Sequence, residues 1–204
     1  EHTQLDIEMS FVERDDVLDL IEELFTDLVK AVVPNKRVPS PFPRLTYAES
    51  MATYGTDKPD LRFEMKLADL SDDLAQSGFK VFSGAVGAGG VVKAISVPGQ
   101  GAMPRRRLDE LVEFVKARGA AGLVWVGLPE GVDTAGLTPE QVKSPAAKFL
   151  SQEDLAAIVT GTGAVSGDLV LMVAGPDRST NTALGQLRNE MGSRLGLADP
   201  DEIA

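Results

Sequence analysis

Thr3, Leu5, Ile7, Met9 and Phe11 alternate with Gln4, Asp6, Glu8 and Ser10. A period of two sustained over that length fits a strand with one face against a core and the other turned away from it. Residues 1–11 are therefore expected to form a half-buried antiparallel strand. Its polar face carries an amide and two carboxylates on successive same-side positions, roughly 7 Å apart by strand geometry. Such a face serves either as solvated surface, which is the commoner use, or as the floor of a binding site.

The period then changes. Val17, Leu18, Ile21, Leu24, Phe25, Leu28 and Val32 recur at helical spacing, with Asp15 or Asp16 as the capping residue and Pro34 as the stop. Pro39, Pro41 and Pro43 predict an extended, stiff connection. Thr46 opens a short helix over Tyr47 to Tyr54, and Gly55 stands where a left-handed C-terminal cap is needed. Residues 56–62 form a polar loop, and a domain boundary is expected near residue 65.

Beyond it, residues 79–83 and 91–97 read as strands joined by the glycine-rich run 84–90. Leu108 to Arg118 reads as an amphipathic helix closed by Gly119, and residues 121–128 as an apolar strand around Trp125. A loop over 129–145, a helix from Ser151 with Asp154 completing an approximate capping box, a strand over 168–174 and a helix over 180–195 follow. Strands and helices intermix, which predicts an α+β or mixed α/β domain.

Composition narrows the chemistry. The 204 residues allow one large domain or two small ones. No cysteine occurs, which excludes a disulfide framework, a cysteine zinc site and a thiol nucleophile. No apolar run approaches the ~20 residues of a membrane span, and the acidic start shows no signal-peptide h-region, so a cytoplasmic location is expected. The net charge of −11 argues against broad, non-specific nucleic-acid binding but leaves room for local contact.

The candidate sites are few. The glycines at 84–90 lack a Gly-x-Gly-x-x-Gly and no Gly-Lys-Ser/Thr follows, so a flexible hairpin is the better reading; Gly99-Gln100-Gly101 is as weak. Arg105, Arg106 and Arg107 immediately precede the expected helix. Cations there oppose the helix dipole, which suggests a phosphate or acidic partner, against the alternative of a solvated turn balanced by Asp109, Glu110 and Glu113. Lys58 and Arg62 share a loop with Asp57 and Asp60 and either reach a ligand or close salt-bridged turns. His2 is the only histidine, so no serine–histidine–acid triad is credible, and no grouping has metal-ligand spacing.

Four segments, in order, resemble bacterial-type aspartyl-tRNA synthetases of class II. Residues 1–11 are similar to the second strand of their motif 2. The others are Phe42-Pro43-Arg44-Leu45-Thr46-Tyr47 with Glu49 and Met51, Tyr54-Gly55-Thr56-Asp57-Lys58-Pro59-Asp60-Leu61-Arg62, and Ser144-Pro145-Ala146-Ala147-Lys148-Phe149-Leu150.

The resemblance implies an α+β chain: a strip of the class II antiparallel sheet with helices over residues 1–64, a mixed α/β GAD insertion domain over 65–185, and a connection back to the catalytic domain over 186–204. It implies a parent enzyme that joins L-aspartate to tRNA through aspartyl-adenylate, with ATP and Mg2+ as substrates of the intact enzyme and none expected bound to this piece. Gln4 and Asp6 would line the amino-acid and adenylate pocket, with Glu8 extending the face; Lys58, Arg62, Arg105, Arg106 and Arg107 remain candidates for tRNA or phosphate. Where His2 stands the family usually has phenylalanine. Motif 1, the arginine-bearing half of motif 2 and motif 3 have no counterpart in these residues, so no complete catalytic set and no activity of the piece alone is expected. The parent would be a dimer and not a membrane protein. Much of the dimer interface would lie in motif 1, which leaves a monomer open for the piece. The alternative reading is a non-catalytic GAD module that binds tRNA or a protein.

Overall fold

The computed structural model describes residues 2–203, so Glu1 of the expected first strand lies outside the described residues. Two compact units are distinguished, residues 2–44 with 199–203, and residues 45–198.

In the first unit, α1 (Arg14–Val32) is capped by Glu13, whose backbone N–H in turn donates to Asp16 at 2.8 Å. The cap falls two residues before the earlier of the two aspartates expected to supply it. Residues 2–9 form no strand, a correction to the reading of the alternation. A strand needs a partner edge for its backbone groups, and among the described residues none pairs with this segment. The alternation nevertheless has a structural consequence. Leu5, Ile7 and Met9 line an apolar cleft of about 570 Å³ with Val17, Leu20, Ile21, Leu24 and Phe25 of α1. The end of the chain joins this unit: the Arg37 N–H donates to the Asp201 carbonyl at 2.6 Å, and Ile203 N–H to the Arg37 carbonyl at 3.0 Å.

The second unit opens with α2 (Tyr47–Tyr54), in the bounds expected. Thr46 caps the Glu49 N–H, the Glu49 carboxylate returns to the Thr46 N–H at 2.8 Å, and Gly55 takes φ +70°. A four-stranded antiparallel sheet follows in the order β1 (Ala68–Asp69), β2 (Val91–Val97), β4 (Leu169–Gly175), β3 (Val124–Gly127). Opposite faces of the strands bury different sets. Ile95, Val97, Trp125, Leu169, Leu171 and Val173 pack with α5 (Arg105–Lys116) and α7 (Asp177–Leu195). Val92, Ala94, Val126, Val170 and Met172 pack with α3 (Ser71–Leu74), α4 (Lys80–Gly87) and α6 (Gln152–Thr162). The architecture is α+β with helices on both faces of the sheet.

Residues 80–83 open a helix, not a strand: α4 buries Phe82, and Phe79 at its N-cap and Val86 within it pack at spacings of three and four from Phe82. Gly84 and Gly87 lie inside it, so the expected glycine hairpin is a helix end and a short turn. α5 begins at Arg105 rather than Leu108, which puts the three arginines in its first turn. Among the described residues no helix is long and apolar enough to cross a membrane.

Candidate functional site

The candidate residues fall on three elements. Gln4, Asp6 and Glu8 lie in the first unit, alternating in sequence with Leu5, Ile7 and Met9, and none of the three lines the cleft. All three are exposed and make no hydrogen bond or ion pair among the described residues. The array offers acceptors only from its carboxylates and mixed donors and acceptors from the amide, which suits an ammonium-bearing ligand. No group of three or more His, Cys, Asp or Glu side chains is placed to hold a metal ion among the described residues.

The second element is the loop of residues 55–62, which is fastened to α7. A Cβ on Gly55 would meet the Asn181 carbonyl and would lie 2.9 Å from Gly185 Cα; a Cβ on Gly185 would lie 2.7 Å from the Tyr54 carbonyl oxygen. The two glycines thus let loop and helix touch through their backbones. Ser50 Oγ donates to the Thr56 carbonyl at 2.7 Å. Arg188, fully buried on α7, donates to the carbonyls of Asp60 (2.9 Å), Phe63 (2.6 Å) and Glu64 (2.8 Å). Its guanidinium also lies 4.0 Å from the Phe63 ring and 4.9 Å from the Tyr54 ring. Burial pushes this guanidinium down from its usual range, against nearby Tyr54, Asp60 and Glu64.

Within the loop Arg62 forks onto Asp60, Nε at 2.9 Å and Nη2 at 2.7 Å, and this hydrogen bonding holds the Asp60 carboxyl below its usual range. Lys58 differs from its neighbours: it is exposed, and its ammonium has no ion-pair partner among the described residues.

The third element is the first turn of α5. Arg105 Nε donates to Asp109 at 2.8 Å, and its guanidinium lies 6.0 Å from the Trp125 ring. Arg106 pairs with Glu110 at 3.4 Å. Arg107 is exposed and has no ion-pair partner among the described residues. Both pairs are solvent-exposed and run with the cation N-terminal, the weaker order for such pairs.

Two of the buried charged groups not apparent from sequence stand out. Arg188 looks like one more surface cation of an amphipathic helix, although its place beside Leu184, Leu187 and Met191 marks the apolar face. Asp168 borders a cleft of about 590 Å³ with Ser96 and residues 63–68. It accepts from Ser96 Oγ (3.1 Å), Gly99 N–H (2.9 Å) and Val165 N–H (3.0 Å), so its oxygens brace two turns.

The family model described as "GAD domain" matches residues 82–184. The chain is 46% identical over 207 residues to the aspartate–tRNA(Asp/Asn) ligase of Dehalococcoides mccartyi, covering 100% of this chain and 34% of that protein. To the ligase of the same name from Symbiobacterium thermophilum it is 50% identical over 203 residues, 100% of this chain and 33% of that one. To that of Moorella thermoacetica it is 46% identical over 204 residues, 100% and 32%. The chain spans about a third of the length of these curated relatives.

Proposed function

The chain belongs to the GAD domain family, and we propose that it serves as part of an aspartate–tRNA ligase, the enzyme that attaches L-aspartate to tRNA. The observation that carries this reading is that likeness to such ligases covers the whole chain, well outside residues 82–184. A stand-alone binding module would need no likeness around Gln4, Asp6 and Glu8. The relatives are named for tRNA(Asp/Asn), and one or both of these is the tRNA substrate we assign.

In this reading residues 1–64 are a strip of the catalytic domain, 65–185 the GAD insertion and 186–204 the return to the catalytic domain. The bond between Ile203 N–H and the Arg37 carbonyl supports the last of these. Adenylation joins the aspartate carboxylate to the α-phosphate of ATP and releases pyrophosphate; a tRNA terminal hydroxyl then takes the aspartyl group and AMP leaves. Asp6 is proposed to attract the α-ammonium of aspartate, Gln4 to orient the substrate by hydrogen bonds, and Glu8 to extend the anionic face. Lys58 is proposed to meet a phosphate.

The phosphate-clamping arginines on which class II adenylation depends are not among these residues, so the chain alone is proposed to be silent. The full ligase is proposed to be cytoplasmic and dimeric.

The test is a transplant. The chain replaces its aligned segment in the Symbiobacterium thermophilum ligase, and aspartate-dependent ATP–pyrophosphate exchange is measured. The chimera is expected to exchange, Asp6→Asn in it to lose most of that activity, and the isolated 204 residues to show none. A folded chimera without exchange counts against the reading, and exchange by the isolated chain overturns the claim of silence.

A further inference from the structure

Phe149 is 50% exposed although both flanks of its turn are anchored. Ala146 and Leu150 are buried, and the turn Ala147–Phe149 is closed by Phe149 N–H to the Ala146 carbonyl (2.9 Å) and Leu150 N–H to the Ala147 carbonyl (3.1 Å). The exposed ring lies nearly parallel to that of Phe79, with centroids 5.4 Å apart and planes at 10°. Phe79 in turn meets the fully buried Phe82 edge-on at 4.9 Å and 79°. The surface ring is thus the last member of an aromatic series that starts in the core, and the stacking on Phe79 orients it.

The charge around it is unusual for this chain. Lys148 Nζ lies 4.8 Å from the Phe149 centroid, and Lys80 follows Phe79 in sequence. Both lysines are exposed, and among the described residues neither has a carboxylate partner, in a protein of net charge −11. A flat aromatic face with one uncompensated ammonium beside it, and a second lysine next in sequence to the supporting ring, suits a ligand that is planar and carries negative charge on a flexible backbone. An unpaired nucleotide has both features: its base stacks on the ring, and its phosphate meets a lysine. A base pair inside a duplex is stacked on both faces and offers none to the ring, so the interior of a duplex does not fit.

We propose that Phe149, supported by Phe79 and flanked by Lys80 and Lys148, is a stacking platform for an unpaired nucleotide of a single-stranded nucleic acid. The base occupies the exposed face of Phe149. The flexible Lys148 stem lets its ammonium move from the ring to the phosphate. The site uses none of Gln4, Asp6 and Glu8 and does not require the ligase reading.

The experiment titrates a fluorescently labelled single-stranded hexaribonucleotide with the 204-residue chain and follows anisotropy, alongside a longer duplex containing the same sequence, in which interior pairs with no free face predominate. The single strand is expected to bind and the duplex to bind much more weakly. Phe149→Ala is expected to weaken single-strand binding by at least about fivefold, the low end for one stacked base. Phe149→Leu keeps an apolar contact with Phe79 but removes the flat face, and is expected to weaken binding similarly; Phe149→Trp is expected to retain it. Lys80→Ala with Lys148→Ala is expected to flatten the salt dependence. No binding by the wild-type chain, equal binding of the duplex, unchanged binding in both the alanine and leucine variants, or an unchanged salt dependence overturns the proposal. An exchange-active chimera with no platform binding, or the reverse, separates this inference from the ligase reading.

Discussion

Arg188 Nη2 donates to the Phe63 carbonyl at 2.6 Å while the same guanidinium lies 4.0 Å from the Phe63 ring. One side chain of α7 thus holds one residue of the incoming chain by both its backbone and its side chain, and holds Asp60 and Glu64 as well. Replacing Arg188 with methionine takes this donor from three part-buried carbonyls, each at up to ~1–3 kcal/mol where water cannot reach it. A loss of about 3 kcal/mol or more in urea unfolding is expected. Lysine keeps N–H donors but lacks the planar guanidinium that lies over the Phe63 and Tyr54 rings, and is expected to recover only part of the loss. A methionine variant within about 0.5 kcal/mol of wild type would show that the carbonyls find water instead.

The close approach of Gly55 to Gly185 makes a separate prediction. Gly55 has φ +70°, and either glycine would set a methyl group against backbone rather than against a side chain that can turn. Gly185→Ala is expected to destabilise by about 1–3 kcal/mol through overpacking, and Gly55→Ala by more because it adds left-handed strain. Gly136→Ala is a control, since nothing lies within 4 Å of its Cβ position. Thermal midpoints of the three variants check the order.

The helix ends legible in the sequence were those set by local chemistry. Thr46 with Glu49, Ser151 with Asp154, and Gly55 each cap a helix through atoms a few residues away, so pattern alone located them. Residues 79–83 misled because five residues are too few to separate a period of two from one of three to four, and the deciding residue, Val86, lies within the glycine run. The 2–9 segment misled for the opposite reason. Its side chains alternate as a strand's would, but a strand also needs a pairing edge, which local pattern cannot supply. Lys58 and Arg62 were visible as loop cations. The Arg188 anchor beneath them and the exposure of Phe149 depend on residues more than sixty positions away and could not be read locally.

Asp60 predicts a pH dependence. The Arg62 side chain, then the Arg62 backbone and the nearby Arg188 charge, hold its carboxyl below the usual range against the opposing effect of burial. The unfolded carboxyl titrates near ~3.9. A folded value below that means the ionised form is favoured by folding. The stabilisation is therefore present above the unfolded value and is lost as pH falls through the folded one. Asp60→Asn is expected to be less stable than wild type at pH 7, with the gap narrowing below about pH 4. Urea midpoints at both pH values test this; a gap of constant size would assign the effect to shape rather than charge.

The first turn of α5 separates stability from binding. Arg105, Arg106 and Arg107 stand at the positive end of the helix dipole, each unfavourable by ~0.3–1 kcal/mol. The exposed pairs of Arg105 with Asp109 and Arg106 with Glu110 offset this only in part. Changing all three to alanine is therefore expected to leave thermal stability equal or slightly raised. If these arginines meet tRNA phosphates, the same change weakens tRNA binding and lowers the slope of log K against log salt by about 0.7–0.9 for each phosphate no longer neutralised. Trp125, the only tryptophan, lies 6.0 Å from the Arg105 guanidinium and gives an internal signal. Its fluorescence is expected to change on tRNA titration in the wild type and much less in Arg105→Ala. Unaltered affinity and slope in the triple variant, measured at two salt concentrations, would make the three arginines surface charge alone.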